Sequence, residues 1–312
     1  MNCEILETLY VRSNGDVLCN DDAGEEVLLG LVRTNNRDWS VTSLVTNHSF
    51  RHIRRCLARN EVPWPDVCQR CAFFRPFSPF SDSLSERRVR KLQIEPSLSC
   101  RLRCPACTNQ HQVQVRPHPL QMDLELFDRI LCSLRDEGYT LGEIEYCGQG
   151  EPLLHPNFSE FVARARKYFP ATRQRLITSG NFDFASTVRD AALNEIMVSC
   201  DGVFLESYSR YRIGGAVERV LHFLRDARAS ASFPGLLLVW KYILFEWNDS
   251  TEELTEAQRN SEELGVDYLL FVYTHSVGKS RRHTFEDPSS LPVRGARIVR
   301  NATPIHYRST QS

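Results

Sequence analysis

The most informative segment of this chain is Glu95-Pro-Ser-Leu-Ser-Cys100-Arg-Leu-Arg-Cys104-Pro-Ala-Cys107. Three residues separate the first two of its cysteines, and two residues separate the second from the third. This spacing lets one tight loop direct three thiolates at a single cubane iron–sulfur cluster. Because three ligands leave one of the four irons open, such a cluster can bind a substrate or cofactor, whereas a fourth cysteine would restrict it to electron transfer.

Zinc binding and plain packing are the alternative interpretations of this loop. A structural zinc ion takes four ligands, so the three cysteines would need a distant partner such as His111 or His155. The loop taken alone leaves these alternatives open, and the surrounding sequence has to decide between them.

Composition and charge narrow the class of protein. A chain of 312 residues with 42% hydrophobic residues can form one large domain plus a small one. Its formal net charge of −1 argues against a general nucleic-acid binder. The sequence contains neither an apolar run of membrane-spanning length nor a secretion signal at Met1–Glu7, so we expect a cytoplasmic protein without a membrane partner. In that compartment, eleven cysteines favour metal ligation over disulfides.

Residues 1–80 are predicted to form a small, cysteine-rich, metal-binding domain. Asn14-Gly15 lies between two short apolar runs and predicts a β-hairpin, because both residues tolerate positive φ. A helix is predicted near residues 42–58. Prolines, serines and charged residues around 75–88 indicate a linker, which we place at residues 81–91.

Strand and helix patterns alternate over residues 92–275. Asp123 is a predicted cap of a helix that stops at Gly138, and Ser250 with Glu253 suggests a capping box. The alternation predicts a parallel sheet in an α/β fold, in the form of a partial (β/α)6 barrel with its functional residues at the carboxyl ends of the strands. Residues 276–312 are predicted to be a polar C-terminal tail or lid. The predicted strands are Leu92–Glu95, Glu143–Cys147, Arg175–Thr178, Glu195–Ser199, Leu236–Phe245 and Tyr268–Val272.

The turn after the second strand reads Cys147-Gly-Gln-Gly-Glu151. Gly148 and Gly150 would let the backbone approach a ligand closely, and the carboxylate of Glu151 suits an ammonium group. A plain tight turn is the alternative for such a glycine pair taken alone.

Polar side chains also follow the third, fourth and fifth strands. Each could be a hydrogen-bond partner of a polar ligand, and each has an ordinary structural alternative: turn chemistry, a surface salt bridge or a helix cap. These candidates are Ser179, Asn181, Ser199, Asp201, Arg212 and Asn248.

The cysteine loop and the strand-end motifs, in this order, resemble those of radical SAM enzymes. In that family the open iron chelates the amino and carboxylate groups of S-adenosylmethionine (SAM). The resemblance implies that Cys100, Cys104 and Cys107 hold a 4Fe–4S cluster. It departs from the family at Ala106, where an aromatic residue usually packs near the adenine, so we expect adenine packing to come from elsewhere.

The resemblance also implies roles for the residues at the strand ends. Gly150-Glu151 matches the Gly-Gly-Glu motif that contacts the SAM amino group, with Gln149 where the family often has glycine. The tips of the third and fourth strands resemble motifs that contact the ribose and the methionine carboxylate. Arg212 resembles a carboxylate-binding arginine, and Asn248 falls at a position where the family often has a polar SAM contact.

A second metal site is predicted from Cys3, Cys19, Cys68 and Cys71. Four thiolates suit either a closed 4Fe–4S cluster or an all-cysteine zinc site. The pattern resembles half of the SPASM/Twitch auxiliary-cluster domain, although that domain normally follows the barrel and here would precede it. Cys56 could replace Cys3, but its helical context favours a buried thiol.

The family resemblance implies reductive cleavage of SAM to a 5′-deoxyadenosyl radical, which abstracts a hydrogen atom from the substrate. The electron would come from an external donor such as flavodoxin or ferredoxin. We expect oxidation or epimerisation of a sugar, cyclitol or other natural-product intermediate, because residues 1–90 leave no room for a leader-peptide-binding domain. A maturase of ribosomally made peptides is the alternative, and a zinc-stabilised binding module is the alternative outside enzymes.

Epimerisation would require a hydrogen-atom donor, which is typically a thiol. Cys147 and Cys200 lie at strand ends and are the candidates, although inert buried cysteine is the favoured interpretation for each.

Overall fold

A mixed α/β fold results from the alternation of apolar strands and amphipathic helices. The computed structural model describes residues 1–20, 26–34, 38–69, 71, 73–115, 119–230, 235–274, 276–292 and 298–300. The strands are β1 (Asn2–Cys3), β2 (Thr8–Val11), β3 (Asp16–Leu18), β4 (Leu28–Leu31), β5 (Phe74–Arg75), β6 (Arg88–Ile94), β7 (Thr140–Tyr146), β8 (Arg173–Thr178), β9 (Glu195–Ser199), β10 (Leu237–Ile243), β11 (Tyr268–Val272) and β12 (Ile298–Arg300). The helices are α1 (Val41–Val45), α2 (His48–Ala58), α3 (Pro65–Cys68), α4 (Asn109–Val115), α5 (Leu124–Asp136), α6 (Phe158–Tyr168), α7 (Phe184–Thr187), α8 (Leu205–Tyr211), α9 (Val217–Ser230) and α10 (Thr251–Glu263).

The chain divides into two compact units. The first unit combines residues 1–99 with 115–174, and the second combines 100–114 with 175–312. The cysteine loop thus belongs to the second unit, whereas the turn after β7 belongs to the first. Residues 1–80, which we predicted as a domain of their own, lie in the first unit together with β6 and β7.

The larger set of strands in the first unit is ordered β7-β6-β2-β3-β4, and β1 pairs separately with β5 in antiparallel orientation. β2 runs parallel to β6, from the pair Thr8–Lys91 to the pair Val11–Ile94, and β6 runs parallel to β7. β2 and β3 form the predicted antiparallel hairpin, with Gly15 at φ +88° in its turn. The N-terminal hairpin therefore extends the parallel strands of this unit.

Two predictions in the first unit need correction. The helix expected near 42–58 is two helices, α1 and α2, because the Asn47 side chain accepts a hydrogen bond from Phe50 N–H and starts a new helix there. The expected linker 81–91 ends in strand, since β6 begins at Arg88. Val89 is buried between exposed arginines, an alternation that marks a strand with one buried face.

The helix α5 follows the prediction at both ends. The Asp123 carboxylate accepts a hydrogen bond from Glu125 N–H, and Gly138 adopts φ +74° just after the helix. Its stripe of buried residues includes Phe127, Ile130 and Leu134. Cap and stripe together fix this helix against the first unit's core.

The second unit contains the strand order β12-β11-β10-β9-β8, and all of its neighbouring strands run parallel. Together with β6 and β7, these include the six predicted strands, each within a few residues of its predicted bounds. β12 lies within the predicted tail and pairs with β11, so this part of the tail is strand rather than irregular chain. The remainder of the tail lies outside the described residues beyond position 300.

The predicted capping box of α10 forms only in part. Ser250 accepts a hydrogen bond from Glu253 N–H, as expected. The Glu253 carboxylate instead accepts hydrogen bonds from Val203 N–H at 2.7 Å and the Ser207 hydroxyl at 2.6 Å. Glu253 therefore bonds Val203 and Ser207, which are distant in sequence, instead of the backbone at the start of its own helix. These bonds attach α10 to the segment that follows β9.

The core of the second unit reaches the cysteine loop. Ala106 packs with the buried side chains of Tyr211, Phe245 and Val272, and Cys104 packs against this group. None of the helices in the described ranges is both long and apolar enough to cross a membrane.

Candidate active site

The cysteine loop follows β6 and presents its thiols at different depths. Cys100 and Cys104 are half-buried and Cys107 is exposed. A hydrogen bond of 3.0 Å from Cys107 N–H to Cys104 O closes the turn, and Arg103 N–H donates to Ile213 O at 2.9 Å. Backbone hydrogen bonds therefore hold a loop in which Cys107 is exposed and Cys100 and Cys104 are partly covered.

Cys104 faces a cation. Burial raises the pKa of its thiol to about 11, and Arg212 is the strongest influence in the opposite direction. Arg212 Nη1 lies 3.9 Å from Cys104 Sγ. An N–H donor that faces the sulfur offsets part of the cost of burying a thiolate, the form that binds iron, and the donor set fits a cluster.

Arg212 is itself held by Asp201. Its Nε and Nη2 atoms lie 2.6 and 2.5 Å from Asp201 Oδ2. Asp201 is fully buried, and its other oxygen accepts a hydrogen bond of 2.7 Å from Ile243 N–H. The two residues predicted near the SAM carboxylate thus form a buried ion pair with each other.

The glycine turn after β7 is packed tightly in the first unit. A Cβ atom at Gly148 would lie 2.5 Å from Glu95 Cγ, and one at Gly150 would lie 2.1 Å from Ser97 O. Glu151 is 4% exposed, and its Oε1 atom accepts a hydrogen bond from Leu153 N–H at 3.3 Å. The turn therefore requires both glycines for backbone packing.

Asn181 follows β8 and connects two helices of its unit. Its Nδ2 atom donates to the Tyr208 hydroxyl at 2.6 Å, and its Oδ1 atom accepts from Ala216 N–H at 2.8 Å. Ser179, two residues earlier, is 7% exposed. Both predicted residues lie at the end of the strand, and the Asn181 amide orders the junction of α8 and α9.

Asn248 organises the turn after β10. Its Nδ2 atom donates to Asp201 O at 3.0 Å and Ile243 O at 2.9 Å, while its Oδ1 atom accepts from Phe245 N–H at 2.7 Å. It is fully buried, and the helix cap that we weighed as its alternative role is supplied by Ser250. Asn248 therefore fixes the backbone that holds Asp201.

The two candidate hydrogen-atom donors differ in exposure. Cys147 is half-buried and follows β7, with its N–H bonded to Ile94 O at 3.0 Å. Cys200 is fully buried beside Ser199, which is 5% exposed. The Cys200 thiol donates to Gly202 O at 3.3 Å, and burial raises its pKa. Cys147 is the better candidate for the hydrogen-atom donor, because its thiol is more exposed than that of Cys200.

The histidines weighed as zinc partners have different environments. His155 is 6% exposed and its Nε2 atom lies 3.0 Å from Met122 O, while Asn157 N–H donates to its Nδ1 atom at 3.1 Å. Both ring nitrogens of His155 are therefore engaged within the first unit. His111 lies exposed on α4.

The four N-terminal cysteines come together in the first unit. Cys19, Cys68 and Cys71 each act electrostatically on Cys3, and burial raises the pKa of Cys3 to about 12. The sulfur of Cys19 also accepts a hydrogen bond from Val27 N–H at 3.1 Å. Cysteines as distant in sequence as 3 and 71 are thus near enough to influence one another, and a second metal site at these residues stays a prediction.

No three Cys, His, Asp or Glu side chains within the described part of the chain are arranged to share one metal ion. A mononuclear zinc site needs its sulfurs at about 2.3 Å from a single atom. A cubane sets its thiolates further apart, because each of them binds a different iron.

Three residues beside these motifs, Glu95, Tyr208 and Phe245, are not among those predicted from the sequence. Glu95 is fully buried and accepts a hydrogen bond of 2.9 Å from Gln149 N–H in the glycine turn. Its signal was a carboxylate at the end of an apolar strand, directly before the cysteine loop. Tyr208 and Phe245 carried no such signal, because aromatic residues in helices and strands are usually core.

Comparisons with known proteins agree with these motifs. Curated relatives include the GTP 3′,8-cyclase of Peptoclostridium acidaminophilum, 27% identical over 150 residues, which are 47% of this chain and 45% of the relative. The GTP 3′,8-cyclase of Agrobacterium fabrum is 24% identical over 224 residues, 70% of this chain and 61% of the relative. The chain spans about half the length of the curated relatives it matches.

A solved structure has a similar fold. The crystal structure of Streptococcus suis SuiB bound to precursor peptide SuiA matches with a TM-score of 0.52 and 11% identity, covering 94% of this chain and 71% of SuiB. At that identity the likeness concerns the fold alone. The family model of the radical SAM superfamily matches residues 94–253, which include the cysteine loop and the ends of β6 to β10. This chain belongs to the radical SAM superfamily.

Proposed function

We propose that this chain is a radical SAM enzyme that oxidises or epimerises a small molecule. When bound, the 4Fe–4S cluster supplies one electron that cleaves SAM to methionine and a 5′-deoxyadenosyl radical, which abstracts a hydrogen atom from the substrate. The observation that carries the proposal is the three-cysteine loop with the Cys104 sulfur facing the buried pair of Arg212 and Asp201.

The chain's own residues hold the cofactor in this proposal. Cys100, Cys104 and Cys107 bind three irons, and Glu151 binds the ammonium group of SAM. The close packing at Gly148 and Gly150 supports this assignment, because side chains there would displace the turn that carries Glu151. Ser179, Asn181, Ser199 and Asn248 remain predicted contacts or supports of SAM at the strand ends.

No aromatic residue stands at position 106. Ala106 packs with Tyr211 and Phe245, whose ring centroids lie 4.4 Å apart. These rings are 3% and 0% exposed, so they support the cysteine loop from the core and offer no free face to an adenine. Packing against the adenine is therefore still expected to come from elsewhere in the chain.

The decisive test compares two cysteine variants after anaerobic reconstitution. Cys104→Ala should lose iron and the formation of 5′-deoxyadenosine, measured by iron analysis and liquid chromatography with mass spectrometry. Cys132→Ala is the matched control, because its half-buried thiol lies on α5 and donates to the Tyr168 hydroxyl. Full SAM cleavage by Cys104→Ala would refute the cluster assignment.

A small-molecule substrate is supported by the curated relatives, whose name describes cyclisation of the nucleotide GTP. A peptide maturase is the second candidate, consistent with the fold-level likeness to SuiB. The two can be separated by adding extract from cells grown in heavy water, split by size. Deuterium should appear in 5′-deoxyadenosine with the metabolite fraction, and transfer only from the peptide fraction would favour the maturase.

Epimerisation requires a hydrogen-atom donor, typically a thiol, whereas oxidation does not. We propose Cys147 as the hydrogen-atom donor of an epimerase, because Cys200 is fully buried. Cys147→Ala should then accumulate an oxidised or uncoupled product while still forming 5′-deoxyadenosine. Unchanged products would indicate oxidation without a thiol donor.

We propose that Cys3, Cys19, Cys68 and Cys71 hold a second 4Fe–4S cluster, as in a SPASM/Twitch-like domain. The four thiols are close enough to influence one another electrostatically, which supports one shared site, and zinc remains the alternative. Wild-type protein should contain about eight irons, whereas about four irons with one zinc would assign zinc to this site. Combined Cys68→Ala and Cys71→Ala substitutions should remove only the second centre.

The same chemistry requires an external one-electron donor such as flavodoxin or ferredoxin. We propose a cytoplasmic location, supported by the number of thiols and by the oxygen sensitivity of such clusters. Cluster reduction by a purified flavodoxin system, followed optically under anaerobic conditions, tests the partner.

A further inference from the structure

Arg212 follows α8 and is directed at Cys104 by a carboxylate. The Arg212 side chain is 12% exposed and that of Asp201 is fully buried. The Nε and Nη2 atoms of Arg212 lie 2.6 and 2.5 Å from the same oxygen of Asp201, Oδ2. The remaining nitrogen, Nη1, is the atom that lies 3.9 Å from Cys104 Sγ.

The carboxylate cannot turn away from this position. Its second oxygen accepts the N–H of Ile243 at 2.7 Å, and Asn248 donates to the backbone oxygen of Asp201 at 3.0 Å. A buried ion pair with every partner in place is costly to break, because either member alone would be an uncompensated charge. The guanidinium therefore has one stable orientation, with its unshared end toward the sulfur.

We propose that Arg212 donates a hydrogen bond to the Cys104 thiolate and thereby raises the midpoint potential of the cluster. This inference rests on the proposed function, because it concerns the cluster that the three cysteines would hold. The role is distinct from binding the SAM carboxylate, since it acts on the cluster before SAM is present.

The direction follows from charge and orientation. Reduction adds one negative charge to the cluster, and hydrogen bonds to its sulfurs stabilise the more negative form. The ion pair as a whole is neutral, but its positive end faces the sulfur and its negative end faces the Ile243 amide. Burial limits screening by water, so the nearer charge dominates.

Arg210 provides a matched control two residues away. It lies exposed on α8, and its guanidinium stacks over the Trp247 ring at 4.8 Å from the centroid. Replacing Arg210 removes the same charge from the helix that Arg212 follows, without removing a donor to a cluster sulfur.

The experiment is a redox titration followed by electron paramagnetic resonance, in the absence of SAM, on reconstituted full-length protein. The second cysteine site is removed by substituting Cys68 and Cys71 in every sample, so that only one cluster is observed. Arg212→Met should lower the midpoint potential, Arg212→Lys should lower it less, and Arg210→Gln should leave it unchanged. A potential in Arg212→Met equal to that of the parent protein would overturn the inference.

A second variant covers the case in which Arg212→Met does not assemble a cluster because Asp201 is left as a buried, unpaired charge. The double variant Asp201→Asn with Arg212→Met removes both charges together. Its potential should also fall, because the donor to Cys104 is gone; no change would overturn the inference. If the parent protein itself binds no iron, the proposed function fails, whereas normal SAM cleavage with an unshifted potential defeats only the role of Arg212.

Discussion

Replacing Glu95 with glutamine tests whether a buried carboxylate holds the first unit together around the glycine turn. Glu95 is fully buried at the end of β6 and accepts at least four hydrogen bonds. Oε1 accepts from the N–H and the hydroxyl of Ser13 at 3.2 Å each. Oε2 accepts from the Tyr10 hydroxyl at 3.3 Å and from Gln149 N–H at 2.9 Å.

The expected loss of stability follows from the hydrogen-bond donors that surround the Glu95 carboxylate. Glutamine keeps the shape of the side chain, but its NH2 group must face either Ser13 N–H or Gln149 N–H, and two donors cannot bond each other. One buried backbone N–H is left unpaired, at a cost of about 1–3 kcal/mol. The hydroxyls of Ser13 and Tyr10 can rotate to accept, and an uncharged amide is easier to bury than a carboxylate. We therefore expect Glu95→Gln to lower the free energy of unfolding by about 2 kcal/mol.

Urea unfolding of the cluster-free protein, followed by circular dichroism, measures this loss. With an m-value of about 2 kcal/mol/M, the midpoint should fall by about 1 M urea. Glu143→Gln is the control, because that side chain is 24% exposed and lies 3.7 Å from Arg173 in a weak ion pair. We expect the control to change the free energy of unfolding by less than ~1 kcal/mol. Equal midpoints for the two variants would refute the reasoning.

Three further predictions follow from the two units. Glu151→Ala should weaken SAM binding, measured by equilibrium dialysis, while iron content stays at the parent level; unchanged affinity would remove its role. Burial lowers the pKa of His155, and its Nε2 atom already bonds Met122 O. The folded state therefore binds this proton less readily than the unfolded state, so stability should fall as the pH drops below about 6.5, and less steeply in His155→Asn. Unfolding midpoints between pH 8 and 5 check this, and identical slopes would contradict it. Gly180 adopts φ +69°, and a Cβ there would lie 2.7 Å from Val198 Cγ1, so Gly180→Ala should lower the free energy of unfolding by about 1–3 kcal/mol, measured in urea.

Local patterns in the sequence were sufficient for the order of elements. Strand and helix periodicity located β6 to β11, and the capping signals at Asp123 and Ser250 located two helix starts. These features depend on neighbours within about one helical turn or one strand, so the chain's own order carries the information. The spacing of the cysteine loop is local in the same sense.

Signals at the margins of elements were less reliable. Asn47 lies inside an apparent helix in the sequence, but its side chain caps a new helix. The charges of Arg88 and its neighbours indicate a linker and mask a strand with one buried face. Both errors arise because the same residue type suits two local structures, and only packing selects between them.

The cysteine spacing and the succession of strand-end motifs were determined by the sequence alone, because thiol chemistry and turn geometry act over a few residues. The partners of buried charges were decided by the tertiary structure. Arg212 meets Asp201 eleven residues away and Cys104 108 residues away, and Glu95 meets Ser13 across 82 residues. Pairings of this kind depend on which strand ends become neighbours in the folded chain, and a buried charge takes whichever partner the packing brings to it.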